Sequence, residues 1–255
     1  MTHGILLFAN KSNGLDYYKL AEICAKQIKR HTDLPITLVS DDKYEGKFID
    51  NNLVVDANTQ INYRISNGKR VIWNNFGRSR AYELSPYDST LVIDTDYYVQ
   101  NNMLFQNFES DFLIAKDTID INPKRSTEAR IAKRGIDMCW ATIMFFKKTP
   151  FAKNVFDLAQ HIEKNWNYFR ILYDIPVAKF RNDYAFSIAL HIANGYNTDI
   201  RKYTLPYTLC NSWEEDNILS VTDDKVNLFS KGVFVQVKQN IHLMNKQDLL
   251  EKYCV

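Results

Sequence analysis

The 255 residues suffice for one large α/β domain or two small ones, and a net charge of +2 does not demand a nucleic-acid partner. An apolar fraction of 45% and a charged fraction of 24% are typical of a soluble globular protein. No segment approaches the roughly 20 consecutive apolar residues that a membrane-spanning helix needs, which argues against that class.

The N-terminus and the cysteines favour a cytoplasmic protein. The first residues lack a basic region, and their apolar run is too short for a signal peptide. The four cysteines show no Cys-x-x-Cys and no metal-ligand spacing, so we expect reduced and mostly buried thiols. They are Cys24, Cys139, Cys210 and Cys254.

Strands and helices alternate through the first part of the chain. Apolar runs predict strands at 5–9, 36–39, 53–55, 91–93 and 112–115. Apolar residues at helical spacing predict a helix from 16 to about 31, and a second helix is expected at 74–84. The first strand, helix and second strand have short connections, which predicts a right-handed parallel βαβ unit. No Gly-x-Gly-x-x-Gly follows the first strand, which counts against a dinucleotide-binding domain.

The second part contains a polar, basic insertion at 117–138 before strands and helices resume. Its basic residues are Lys124, Arg125, Arg130, Lys133 and Arg134. Further strands are predicted at 138–146, 233–237 and 241–243, and further helices at 150–168, 181–193 and 246–253. The chain has no repeat or linker, so we predict one domain over 1–255. Its fold class is α/β, with a mostly parallel central sheet, flanking helices and a smaller C-terminal portion.

The segment 89–99 carries the clearest functional signal. A buried strand ends there at Asp94, and Asp96 follows with Thr95 between them. Ligands of open α/β sheets collect at the carboxyl ends of the strands. Two carboxylates this close are costly unless they share a cation or a proton, and oxygen ligands suit Mg²⁺ or Mn²⁺ bound to a diphosphate. A solvated turn is the alternative interpretation.

Residues at the ends of the first two strands are candidates for the same nucleotide pocket. Phe8, Ala9 and Asn10 close the first strand and are expected to line the pocket. Asp41 and Asp42 follow the second strand, where they accept hydrogen bonds from a base or ribose or, alternatively, cap a helix.

This order of elements resembles the GT-A fold of nucleotide-sugar-dependent glycosyltransferases. It is most similar to the retaining family of glycogenin and the bacterial lipopolysaccharide galactosyltransferases. The residues that carry the resemblance are 91–96, which read Leu-Val-Ile-Asp-Thr-Asp, and 241–246, which read Ile-His-Leu-Met-Asn-Lys. The resemblance implies a UDP-sugar donor, Mn²⁺ or Mg²⁺ held by Asp94, Asp96 and His242, and contact of Lys246 with the diphosphate.

Three further positions acquire a role through the same resemblance. Arg78 is expected to reach the donor, although arginines on helices are usually solvated. Asp183 corresponds to an acidic residue beside the transferred sugar and is otherwise a helix cap. Trp140 stands where the family has an asparagine that holds the donor sugar, which implies a different sugar or a differently shaped pocket.

The predicted function is metal-dependent transfer of a sugar to an acceptor hydroxyl, and the resemblance implies retention of configuration. Asp183 stabilises the oxocarbenium-like centre or acts as the nucleophile, and Arg78 adds positive charge near the leaving diphosphate. The basic insertion suits an anionic acceptor or is a solvated loop. DNA with a hydroxymethylated base, as modified by bacteriophage glycosyltransferases, and a surface saccharide are both candidate acceptors. A phage origin would imply the host cytoplasm.

Three other classes compete with this interpretation. A haloacid-dehalogenase-type phosphatase also has an Asp-x-Asp after a buried strand. There the motif lies near the N-terminus, and Thr or Val stands two residues after the second Asp, where this chain has Tyr98. A non-catalytic nucleic-acid-binding protein would use the basic residues at 124–134. A sugar nucleotidyltransferase would need an N-terminal Gly-rich loop, which is missing.

Overall fold

The computed structural model describes residues 1–12, 14–55, 63–66, 69–72, 77–125, 130–131, 135–177 and 179–253. The helices in these ranges are α1 (Tyr17–Lys29), α2 (Ala81–Leu84), α3 (Pro150–Lys164), α4 (Trp166–Leu172), α5 (Asn182–Ala193) and α6 (Lys246–Lys252). The strands are β1 (His3–Ala9), β2 (Ile36–Ser40), β3 (Asn51–Val54), β4 (Tyr63–Ser66), β5 (Lys69–Ile72), β6 (Ser89–Ile93), β7 (Tyr97–Tyr98), β8 (Phe112–Ala115), β9 (Thr118–Asp120), β10 (Arg130–Ile131), β11 (Ile136–Asp137), β12 (Trp140–Lys147), β13 (Leu209–Asn211), β14 (Asn217–Thr222), β15 (Lys225–Ser230), β16 (Val233–Val237) and β17 (Ile241–His242).

A six-stranded sheet in the order β3-β2-β1-β6-β12-β8 forms the centre of the described structure. The strands β3, β2, β1 and β6 are parallel to one another, whereas β12 runs antiparallel to both of its neighbours. Only β12 in this sheet therefore opposes the common direction. The predicted α/β class with a mostly parallel central sheet is confirmed.

Helices cover both faces of this sheet, which explains why its central strands are apolar along their whole length. Leu6 and Val92 pack on one face against α3 and α5. Leu7 and Leu91 pack on the other face against α1. The side chains of successive residues alternate between the two faces, so each strand contributes to two cores.

Two smaller sheets contain the strands β13 to β17 of the C-terminal part. A four-stranded sheet has the order β7-β17-β13-β9, and an antiparallel three-stranded sheet consists of β14, β15 and β16. A third core joins them, in which Tyr98, Ile241 and Leu243 contact Ile218 and Val226. The four-stranded sheet takes β7 and β9 from the first half of the chain, so the predicted smaller C-terminal portion is not formed by C-terminal segments alone.

The predicted helices agree with the structure except at two places. The described part of the helix predicted at 74–84 is a 3₁₀ turn at Arg78–Arg80 followed by α2, and residues 74–76 lie outside the described residues. The helix predicted at 150–168 divides at Asn165 into α3 and α4. None of the described helices is both long and apolar enough to cross a membrane.

The predicted thiols are buried wherever the structure describes them. Cys24, Cys139 and Cys210 are free and buried, and Cys254 lies outside the described residues. Burial raises the pKa of the Cys139 thiol to about 12. These cysteines are therefore inert parts of the core rather than nucleophiles.

Candidate active site

A cavity of about 400 Å³ opens at the carboxyl ends of the parallel strands. It combines residues from the loops after β1 and β6, the start of α5 and the segment from β17 to α6. Its lining residues include Phe8, Asn10, Lys11, Tyr17, Arg78, Asp94, Thr95, Asp96, Trp140, Thr142, Lys179, Arg181, Asn182, Asp183, Glu214, His242, Met244 and Lys246.

Two carboxylates and one imidazole converge in this cavity. The ligand atoms of Asp94, Asp96 and His242 all lie within 4.8 Å of one another. The chain brings them together because β17 pairs antiparallel with β7, which places His242 opposite Tyr97. The Leu243 N–H then donates to the Asp96 carbonyl over 2.9 Å. The donor set of two carboxylates and one imidazole nitrogen fits Mn²⁺ or Mg²⁺.

Asp96 is buried and is surrounded by positive charge. Its Oδ2 accepts a bond of 2.6 Å from Lys246 Nζ and lies 3.2 Å from His242 Nε2. Burial alone acts to raise the pKa of Asp96, but the charges and hydrogen bonds of Lys246 and His242 outweigh it and hold that pKa well below its ordinary range. The carboxylate is therefore ionised and suited to a cation.

Asp94 is held from the side of the large sheet. Its backbone N–H donates to Thr142 O over 2.9 Å, and its carboxylate forms an ion pair with Arg78. Arg78 Nη1 also donates to Ala141 O over 3.1 Å. The structure thus places Arg78 in the cavity wall as a direct support of Asp94.

A hydrogen bond at Nδ1 orients the imidazole ring of His242. His242 Nδ1 lies 3.2 Å from Asn211 Oδ1, and a carbonyl oxygen at that position accepts from a protonated Nδ1. Nε2 is then the nitrogen that faces Asp96, and it would give up its proton on binding a metal ion. Such a partner fixes the tautomer and the ring orientation of a metal-binding histidine.

Asp183 and Trp140 lie together in the cavity wall with Arg181. The Ala141 N–H donates to Asp183 Oδ1 over 2.9 Å, and Arg181 Nη2 donates to Asp183 Oδ2 over 2.7 Å. The Arg181 guanidinium also lies 5.8 Å from the centre of the Trp140 ring. Arg181, rather than Asp183, takes the N-cap position of α5, so Asp183 is not the helix cap of the alternative interpretation.

The predicted nucleotide-binding residues of the first two strands divide into two groups. Phe8 and Asn10 line the cavity, whereas Ala9 is buried in the core. The Asp41 carboxylate accepts from the Lys11 N–H over 2.9 Å, and Asp42 forms an ion pair with Lys11 Nζ. Both aspartates therefore support the loop after β1 instead of lining the cavity.

The basic residues of the insertion are not one surface patch in the described structure. Lys124 and Arg130 are exposed. The Arg125 side chain is only 10% exposed and is ion-paired with Asp216. Lys133 and Arg134 lie outside the described residues.

Several lining residues had not been predicted. Lys11 and Tyr17 follow β1, so the position of the carboxyl end of this strand indicates that they lie near the cavity. Arg181 stands two residues before Asp183, yet no pattern in the sequence indicates their pairing. Glu214 and Asn211, which contacts His242, belong to a region whose strand β13 the sequence pattern does not reveal. Its short length leaves no detectable alternation.

Comparison with solved structures identifies the architecture. The chain aligns with an active-site mutant of LgtC at a TM-score of 0.50 and 12% identity, over 72% of this chain and 69% of that chain. The chain has a GT-A fold.

Two further GT-A structures are similar to this chain. The galactosyltransferase LgtC in complex with donor and acceptor sugar analogues aligns at a TM-score of 0.49 and 14% identity, over 72% of this chain and 70% of that chain. The apo-form glycosyltransferase GlyE of Streptococcus pneumoniae aligns at a TM-score of 0.44 and 13% identity, over 80% of this chain and 45% of that chain. No family model and no curated protein matches the sequence. Because identity is this low, these alignments concern the fold, and the activity has to be argued from the site.

Proposed function

We propose that this GT-A protein is a metal-dependent glycosyltransferase that moves a sugar from a UDP-sugar to an acceptor hydroxyl. The observation that carries the proposal is the convergence of Asp94, Asp96 and His242 within 4.8 Å in a cavity of about 400 Å³. The position of this cavity, at the carboxyl edge of the parallel strands, is where open α/β sheets bind their ligands.

Mn²⁺ or Mg²⁺ held by Asp94, Asp96 and His242 would act as a Lewis acid toward the leaving diphosphate. The protein prepares this site in advance, because Asn211 orients the imidazole and Arg78 holds the Asp94 carboxylate. Preorganised groups of this kind need no rearrangement when charge develops.

Lys246 supplies the fixed positive charge closest to Asp96. Its ammonium group donates to Asp96 over 2.6 Å and retains two further N–H donors, which can meet phosphate oxygens. Arg78 forms an ion pair with Asp94 and donates to a backbone carbonyl, so we assign it the role of a positioning residue. Its charge still lowers the energy of an anionic donor in the cavity.

Asp183 is the carboxylate that we place beside the transferred sugar, for a reaction with retention. Bonds from the Ala141 N–H and from Arg181 fix its orientation. A fixed carboxylate stabilises an oxocarbenium-like centre electrostatically, and we prefer this role to that of a nucleophile because both of its oxygens already accept hydrogen bonds. Trp140 limits the shape of the sugar pocket from the same wall.

The identity of the acceptor stays a prediction, both for DNA with a hydroxymethylated base and for a surface saccharide. The DNA hypothesis depends on the basic insertion, in which the Arg125 guanidinium is paired with carboxylates and only Lys124 and Arg130 are exposed in the described residues. A surface saccharide needs no basic patch and agrees equally well with the described cavity.

A thermal-shift panel of UDP, GDP, CDP and TDP, each with and without Mn²⁺, tests the donor. A ligand that binds only the folded state raises its stability, by about 2.7 kcal/mol at a concentration of 100 times the dissociation constant. We expect UDP to stabilise the protein only when Mn²⁺ is present.

Asp94→Asn is the control for this panel, because it removes one charge from the site and keeps the side-chain size. The UDP-dependent shift should disappear in this variant. Absence of a Mn²⁺-dependent shift with every nucleotide in the wild-type protein would overturn the proposal.

A further inference from the structure

An ionic cluster with a buried centre links the segment after β9 to the segment after β13, and it belongs to none of the roles assigned above. We call it the Arg125 cluster, and it consists of Asp120, Arg125, Trp213, Glu215 and Asp216. The side chains of Arg125, Asp120 and Asp216 are 10%, 1% and 0% exposed. Taking charges out of water is expensive, so a buried cluster of this kind requires either close pairing or a role.

The cluster joins two distant segments of the chain. Arg125 donates to both oxygens of Asp216, over 2.7 and 2.9 Å, and to Glu215 over 3.2 Å. The Trp213 indole donates to Asp120, and the Trp213 N–H donates to Asp216 Oδ2 over 2.7 Å. The segment 213–216 is therefore fixed to the segment that follows β9.

One hydrogen-bonded path leads from the cluster to His242. The cluster segment begins directly after β13, whose Asn211 is paired with Asp120 on one side and with His242 on the other. Next to it, the Ser212 N–H donates to His242 O over 2.9 Å. The backbone of His242 and the Asn211 amide that orients its imidazole are thus both anchored beside the cluster.

A second path leads from the cluster to Lys246. The Asp216 carbonyl accepts a bond of 2.9 Å from Asn245 Nδ2. The same Asn245 side chain caps α6 by accepting from the Asp248 N–H over 3.2 Å. Lys246 is the first residue of α6, so the position of Asp216 sets the position of its backbone.

We propose that Arg125 is a positioning residue whose cluster fixes His242 and Lys246 against Asp96. The sheet that carries His242 has strands of only two or three residues, which offer few backbone bonds to hold their register. The cluster supplies the missing constraint by tying β9 to the segment after β13. This role replaces the contact with an anionic acceptor that the sequence suggests for Arg125.

The inference rests on the proposed function for its metal-binding consequence, and Mn²⁺ itself is the probe. We expect Arg125→Ala to weaken the affinity for Mn²⁺ about tenfold, the lower end of the range for residues that support metal ligands. The free Mn²⁺ signal in electron paramagnetic resonance measures this affinity directly and requires no turnover.

Arg30→Ala is the matched control. Arg30 is also a partly buried arginine with two acidic partners, Asp223 and Asp224, at the far end of the β14–β15 hairpin. Removing it lowers stability without touching either path to the site. A structural role for Arg125 would make the two variants alike in Mn²⁺ affinity, and that result would overturn the proposal.

Two further measurements keep the test decisive. Asn245→Ala leaves the cluster intact but cuts the path to Lys246, and it should weaken the effect of Mn²⁺ on UDP binding even if Arg125→Ala fails to fold. The ¹⁵N signals of the His242 ring in metal-free protein report the bond from Nδ1 to Asn211. They should change in Arg125→Ala and not in Arg30→Ala.

The ¹⁵N measurement separates two kinds of failure. If the wild-type protein binds no Mn²⁺, the proposed function is overturned. The His242 signals then still decide whether Arg125 has the positioning role. Unchanged His242 signals in Arg125→Ala would overturn the positioning role whatever the metal affinity.

Discussion

The six-stranded sheet and the four-stranded sheet meet at the cavity, and each fixes one of two neighbouring aspartates. Asp94 follows β6 of the large sheet and pairs with Arg78. Asp96 precedes β7 of the small sheet and is held by His242 and Lys246. The strands β1 and β6 contain 7 and 5 residues, whereas β7 and β17 contain 2 each.

This difference separates stability from the precision of the site. The large sheet buries apolar side chains on both faces and holds its register through long parallel pairings. The small sheet depends on side-chain hydrogen bonds and on the Arg125 cluster. Damage to the large sheet should therefore unfold the protein, while damage to the small sheet should first impair metal binding.

The largest effect is expected for Asp96→Asn. This carboxylate precedes β7 of the small sheet and meets both His242 and Lys246, so its loss removes a proposed metal ligand and leaves two partners without their counter-charge. We expect the initial rate of UDP release from a UDP-sugar to fall about a thousandfold, equivalent to ~4 kcal/mol in the activation barrier. A rate within tenfold of wild type would contradict the assignment of Asp96.

Leu243→Ala and Leu7→Ala compare the two sheets directly. Both side chains are fully buried, and each truncation should lower the free energy of unfolding by about 3 kcal/mol in urea titrations. Only Leu243→Ala should also weaken Mn²⁺ binding, because the cavity left by the side chain lets the backbone shift, and the N–H of this residue holds the Asp96 carbonyl over 2.9 Å. Equal losses of Mn²⁺ affinity in both variants would show that the two sheets do not differ in this way.

Gly77→Ala tests the support of Arg78 from the side of the large sheet. Gly77 has a φ of +108°, and an added Cβ would lie 3.2 Å from the Phe8 ring. We expect a loss of about 1–3 kcal/mol in unfolding free energy, together with reduced activity through Arg78.

Gly232→Ala is the control for this substitution. Its φ is +86°, but nothing lies within 4 Å of the added Cβ, so only the backbone strain remains. Gly232→Ala should lower the free energy of unfolding by less than Gly77→Ala does, as measured by chemical denaturation. It should leave the rate of UDP release from a UDP-sugar unchanged. The reverse order would show that the contact with Phe8 has no effect.

The smallest effect concerns pH and Glu163 in α3, whose carboxylate accepts from Ser79 Oγ over 2.6 Å. Burial raises the pKa of Glu163 above its ordinary value of 4.5, and the bond from Ser79 only partly opposes this. The folded protein therefore binds this proton more tightly than the unfolded chain does. The resulting stability is present below that ordinary value and is lost as the pH rises through the raised pKa.

Glu163→Gln removes this titration, because glutamine still accepts from Ser79 but carries no proton to lose. The variant should gain stability relative to wild type as the pH rises from about 4 to about 8, measured by thermal melting. Its Mn²⁺ affinity should equal that of wild type, since Glu163 lies on the side of the large sheet. A constant difference in stability across this range would contradict the prediction.

Much of the fold and the centre of the site follow from local sequence. The runs at β1, β2, β6 and β8 are apolar because both faces of the sheet are covered, and such runs can be recognised without a structure. Asp94 and Asp96 are separated by one residue at the end of such a run, so their proximity needs no tertiary information. Pro150 and Asp16 likewise mark the starts of α3 and α1.

The rest was decided by tertiary structure, because it depends on residues far apart in the chain. The small sheet assembles β7, β9, β13 and β17 from segments separated by up to 145 positions, and strands of two or three residues leave no periodic pattern. Nothing in the sequence around Arg125 tells whether its side chain faces solvent or lies buried beside Asp216, because Asp216 is 91 positions away. Sequence by itself determined which chemical groups this protein contains and which of them lie next to one another in the chain. Only the packing of distant segments determined which charges are paired, because the energy of a charge depends on its surroundings.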